Sequence, residues 1–164
     1  MMNLINKIIL TSILSACTFQ AAAKDIPSAF HGQWVAQHGS PIDSQTAQTA
    51  CKALQQNNIT VLYRETSPLL ITLTIDKQRL HYVHHVATND TQQETYSQLR
   101  FSKKYTPNHI AGTAKYTGLS RHPDPARDFE LRLQDGILHS HYWDYHQGTD
   151  KWDFWAHYEF VRCS

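Results

Sequence analysis

Hydrophobic and polar positions change period at the end of one early helix. Ala47, Ala50, Cys51 and Leu54 fall at the i, i+3, i+4, i+7 spacing of one helix face, with Gln and Lys elsewhere. Asp43-Ser44 can cap this helix, and Asn57-Asn58 ends it. From Ile59 onward the period is two. Ile59, Val61 and Tyr63 alternate with Thr60, Leu62 and Arg64, while Leu69, Ile71, Leu73 and Ile75 alternate with Leu70, Thr72, Thr74 and Asp76. Further strands are predicted over Arg79 to Ala87, about Gln93 to Ser102, His109 to Gly118, Asp128 to Gln134, Ile137 to His146 and Lys151 to Cys163. A short strand holding Gly32-Gln33-Trp34 precedes the helix. Turn residues mark the joints at Asp76-Lys77, Asn89-Asp90, Thr106-Pro107-Asn108, Asp135-Gly136 and Gln147 to Asp150, and Leu119 to Arg127, with two Pro, is a longer loop.

This order predicts a mainly β fold with one short N-terminal α-helix. Eight or nine strands joined by hairpins make an antiparallel up-and-down barrel the economical architecture, because closure removes exposed edges; a β-sandwich is the alternative. The inward faces read Ile59/Val61/Tyr63, Leu69/Ile71/Leu73/Ile75, Leu80/Tyr82/Val86, Phe129/Leu131/Leu133 and Trp152/Phe154/Ala156/Tyr158/Phe160. Gly112, Ala114 and Ala156 fall on inward sets, so with Tyr158 and the inward-facing His84 they are the residues around which a ligand cavity would open; small residues also serve to fit a taper. Two places past Phe160 the last inward set reaches Arg162. Cys163 then points outward, where a helix on the barrel wall can present Cys51.

Length and composition narrow the class. A chain of 164 residues suits one domain. Its net charge of +1, with basic residues scattered singly, offers no stripe that would follow a phosphate backbone, so nucleic acid is not an expected partner. With 11 His, the net charge depends on pH more than usual.

Lys7 followed by the apolar run Ile8 to Leu14 has the form of an export signal. Two processing patterns compete. Ala21-Ala22-Ala23 would end a signal peptide at residues 1–23 and leave one domain over 24–164; Leu14-Ser15-Ala16-Cys17 resembles a lipobox, which would remove 1–16 and lipidate Cys17. The destination is the periplasm or a lipid anchor on the envelope, with membrane contact only through that anchor. Cys51 and Cys163 then remain as an even pair in an oxidising compartment, where a disulfide is expected.

Gly32-Gln33-Trp34 near the start and Arg162 on the closing strand resemble the lipocalin and wider calycin pattern, in which the Trp of a G-x-W motif packs under a late Arg at one end of the barrel. The phrase Ile26-Pro27-Ser28-Ala29-Phe30-His31-Gly32-Gln33-Trp34 also resembles the opening of small exported bacterial proteins of lipocalin-like fold. That resemblance implies ligand carriers or envelope inhibitors of proteases. The early helix departs from the usual lipocalin order.

Candidate chemistry is sparse. His139 and His141 share a strand face, as do His81 and His85, and two such pairs on adjacent strands could build a four-nitrogen zinc or copper site. Solvated surface histidines are the plainer reading. Trp143, Tyr145 and Trp155 lie opposite the apolar faces, as a partner-binding patch or as surface covered by other segments. No nucleophile elbow, H-E-x-x-H, phosphate loop or Cys-x-x-Cys is present, and Asp144 beside His141 or His146 reads as a surface hydrogen bond, so no enzyme is expected. The expectation is an envelope binding protein for a small apolar ligand, without a cofactor. The alternatives are a protein-binding module such as an envelope hydrolase inhibitor, and a His-dependent binder of zinc or copper.

Overall fold

The computed structural model describes residues 24–57, 70–87, 90–102, 105–118, 126–146 and 151–164, with the backbone alone at 86, 87, 90, 142–146 and 151–156. A 3-10 turn at Ser28–Phe30 leads into β1 (Gly32–Gln37) and α1 (Ser44–Gln55). Then follow β2 (Leu70–Ile75), β3 (Leu80–Ala87), β4 (Asp90–Phe101), β5 (His109–Thr117), β6 (Ala126–Gln134), β7 (Ile137–His146) and β8 (Lys151–Arg162). Every strand pairs antiparallel with its neighbour in sequence, and β8 returns to β1 through Trp34↔Arg162 and Val35↔Val161. The barrel is closed and eight-stranded, and the sandwich alternative is overturned. The expected strand over Ile59 to Arg64, the export segment with Cys17, the core of the Leu119 to Arg127 loop and the Gln147 to Asp150 turn lie outside the described residues.

Local chemistry explains the joints. The Asp43 carboxylate accepts from the Thr46 amide at 2.9 Å and from its hydroxyl at 2.6 Å, satisfying donors at the start of α1. Past the last turn, Asn57 takes φ 51°, a left-handed stop. Between β6 and β7, Asp135 and Gly136 both adopt positive φ, 51° and 79°, as a two-residue hairpin turn requires. Asp76 turns β2 into β3 by accepting from the amides of Gln78 and Arg79, each at 2.8 Å.

Alternation divides the apolar residues between two cores. Inside the barrel are Trp34, Ile71, Leu73, Ile75, Leu80, Tyr82, Tyr96, Ile110, Ala114, Phe129, Leu131, Leu138, Tyr158 and Phe160. Outside it, α1 lays Ala47, Ala50 and Ala53 against Val35 of β1 and Leu70 of β2, with Val161 of β8 alongside. This second layer is why β2 departs from strict alternation. Leu70 and Thr72 belong to the expected exposed set, yet they are buried as well as Ile71 and Leu73. Cys51 and Cys163 join at this layer in a disulfide that closes 112 residues. The expected pairing is present, and its outward-facing Cys163 follows from the β8 alternation.

One end of the barrel is plugged. The segment before β1 folds across it, the Ile26 amide donating to Lys77 at 2.7 Å and the Tyr105 hydroxyl to the Asp25 carbonyl at 2.6 Å. Ile26 and Phe30 are thereby sunk in the interior core. Trp34 seals the layer above, its indole N–H donating to the Phe30 carbonyl at 2.9 Å. Arg162 lies 5.3 Å over the Trp34 ring and donates to the His31 carbonyl at 2.6 Å. Gly32 is required here by its φ of 127°, which L side chains rarely adopt.

Candidate functional site

The other end of the interior is built differently. On β4, Glu94 and Tyr96 share the inward face; on β5, Ala114 and Tyr116; on β6, Arg127 continues the Phe129/Leu131 set toward that end. Arg127 is only 7% exposed, and its guanidinium sits 3.2 Å over the Tyr116 ring. Tyr116 thus lies within electrostatic reach of both Arg127, stacked on its ring, and the Glu94 carboxylate. Across the interior, Tyr96 meets Tyr116 edge-on at 5.3 Å and Tyr82 at 5.6 Å, and Tyr82 shares a 2.7 Å hydrogen bond with the buried Ser140 hydroxyl. His84 Nε2 lies 4.0 Å from Glu94, and its ring is 6.4 Å from Tyr158, which also faces His38 at 5.8 Å.

These groups set one another's protonation. Burial, reinforced by the Glu94 charge, pushes the phenols of Tyr82, Tyr96 and Tyr116 well above the usual tyrosine range. They stay neutral donors at physiological pH. The result is an inner wall in which Arg127, Glu94, His84 and the tyrosine hydroxyls offer polar groups among aromatic faces.

The residues expected from the sequence separate under this geometry. Tyr158 and Ala114 are buried in the interior core, and His84 faces inward beside Glu94. The Ala156 side chain lies outside the described residues. Gly112 opens no space. A Cβ there would run into the Arg100 carbonyl and lie 2.9 Å from the Phe101 Cα, because a bulge between Ser97 and Arg100 presses the β4 backbone against β5. Glycine at this position serves a close backbone approach.

The four-nitrogen metal site is corrected. His81 and His85 are on β3, whose neighbours are β2 and β4, whereas His139 and His141 are on β7, between β6 and β8. The two pairs are not on adjacent strands. His81 bonds Thr95 at 2.9 Å, and His85 is 4% exposed beside Thr72 rather than solvated; burial holds its imidazole below the usual histidine range. His141 instead faces His157 of β8, ring to ring at 4.4 Å, and burial followed by that neighbour lowers its pKa. The side chains of Trp143, Asp144, Tyr145, His146 and Trp155 are outside the described residues.

Glu94, Tyr96, Tyr116 and Arg127 escaped the sequence reading. Placing the start of β6 at Asp128 left Arg127 in the loop; carrying the Phe129/Leu131/Leu133 parity back two places would have found it. No signal of comparable strength marks Glu94. No protein-family profile matches the chain, and neither characterised proteins nor solved structures yield a match.

Proposed function

We propose that this is a non-enzymatic binding protein of the bacterial cell envelope that takes a small, largely apolar ligand into the barrel from the end opposite the plug. One observation carries the reading: Arg127, 7% exposed and stacked on Tyr116, and Glu94, its side chain 12% exposed, both sit inside the barrel, where apolar side chains would pack at no loss of stability. Charges retained in such a place suit recognition, the Arg127–Glu94 end orienting a polar head and the Tyr82, Tyr96 and Tyr158 rings holding the body. The G-x-W layer under Arg162 agrees with a lipocalin-like carrier, and the Cys51–Cys163 bridge with an oxidising compartment. The inhibitor alternative gains nothing from the N-terminal segment, since Ile26 and Phe30 are spent on plugging the barrel.

Titration with an anionic aromatic fluorophore such as anilinonaphthalene sulfonate tests the proposal. Saturable binding that weakens about tenfold or more in Arg127→Gln, with the fold retained by circular dichroism, is expected. If the native protein takes up no such probe and yields no small molecule on extraction, the carrier reading fails.

A further inference from the structure

The outer wall carries a second cluster, remote in kind from the interior. β7 and β8 run antiparallel with His139 opposite Glu159 and His141 opposite His157, so the four side chains form a two-by-two array on one face. His139 Nδ1 lies 3.3 Å from His157 Nε2 and 3.7 Å from Glu159 Oε1, and one ligand atom from each of the three residues falls within 4.8 Å of the others. Ligands about 2.0–2.1 Å from a tetrahedral zinc ion stand roughly 3.3–3.4 Å apart. Two of the three edges are therefore near the required length. The third, no longer than 4.8 Å, would close on a rotation of Glu159, whose side chain is 40% exposed.

A simple hydrogen bond between His139 and His157 accounts for one contact only. An ion pair with Glu159 accounts for the second, but it draws on the same His139 nitrogen, whereas a metal ion would engage all three groups at once. Two neutral imidazoles and one carboxylate are the donor set and charge that a borderline divalent ion favours. Beside His157 and Glu159 lies a groove of about 250 Å³ lined also by Gln37, Gly39, Ser40 and Pro41. His141, ring against ring with His157, is placed to fix that imidazole or to take the fourth position itself.

We propose that His139, His157 and Glu159 bind one divalent transition-metal ion of the zinc class on the outer wall of the barrel. The site owes nothing to the interior cluster and stands whether or not the barrel carries a ligand. Copper(II) would bind such donors more tightly than zinc, but zinc is the cleaner probe because it has no redox chemistry.

The test is calorimetric titration of the metal-stripped, disulfide-intact protein with zinc chloride near neutral pH. One ion per chain is expected, with micromolar or tighter affinity. Removing a direct ligand in His139→Ala or His157→Ala should cost more than the roughly 10- to 100-fold typical of outer-sphere partners, while His81→Ala binds as the native protein does. Absence of binding at about 100 μM zinc would overturn the proposal. So would an unchanged affinity in a folded His139→Ala/His157→Ala double variant.

Discussion

The two ends of this barrel solve the same problem, filling a closed sheet, with opposite chemistry. At the plugged end, Ile26, Phe30 and Trp34 bury apolar surface, and Arg162 stays exposed over the indole. At the other end, Arg127 and Glu94 are taken inside, Arg127 against the Tyr116 ring. Only the first arrangement is what stability alone would select, since desolvating two charges costs about as much as their attraction returns. The difference sets a part of the molecule that stability alone accounts for beside a part that stability alone does not require.

Breaking that comparison begins with the staple. Cys51→Ser should lower unfolding free energy by about 4 to 5 kcal/mol on the chain-entropy account, read from urea denaturation with the slope fitted for each protein, since the unbridged unfolded chain exposes more surface. Truncating the plug by Trp34→Ala should cost about 3 to 5 kcal/mol, because Trp34 is 1% exposed and its cavity cannot refill. The charged end should respond in two ways. Arg127→Met alone strands the Glu94 charge and should destabilise by about 3 kcal/mol, whereas Glu94→Leu with Arg127→Met should be neutral or stabilising by thermal melting while probe binding disappears. A large loss in the double variant would mean that this end is structural after all. Arg162→Ala should lose about 0.5 to 1 kcal/mol, the scale of an exposed cation over an aromatic ring.

The smallest expected effect is on pH. His85 has a folded-state pKa below its ordinary value of 6.5 because burial disfavours the imidazolium. The unfolded chain therefore binds more protons around and below that value, so this contribution to stability is present above about pH 6.5 and is lost as the pH falls toward the folded pKa. His85→Gln should flatten this part of the stability profile. An unaltered slope would show that other groups govern acid unfolding.

Much of the fold was legible because local rules agree with one another. Asp43 with the Ala47/Ala50 spacing marks α1; Asp135-Gly136 marks its hairpin; the parity of Phe160, Arg162 and Cys163 sets the closing strand and the disulfide together. The sites were less legible because they depend on what lies across the sheet. A bulge between Asp144 and His146 shifts the β7–β8 register by one residue and brings His141 opposite His157. Without it, a hairpin about the same turn would have paired His141 with Ala156. The Arg127–Glu94 cluster joins β6 to β4 through Tyr116 of β5, a three-strand relation that no single period reveals.

The bridge between Cys51 and Cys163 has a consequence for survival as well as for folding. With 112 residues closed into a covalent ring, a protease that nicks any one connection between β2 and β8 produces a clipped but single molecule, whose strands remain paired and whose halves cannot diffuse apart. Destruction then requires a second cut or a reductant, which turns an otherwise fatal wound into a tolerated scar.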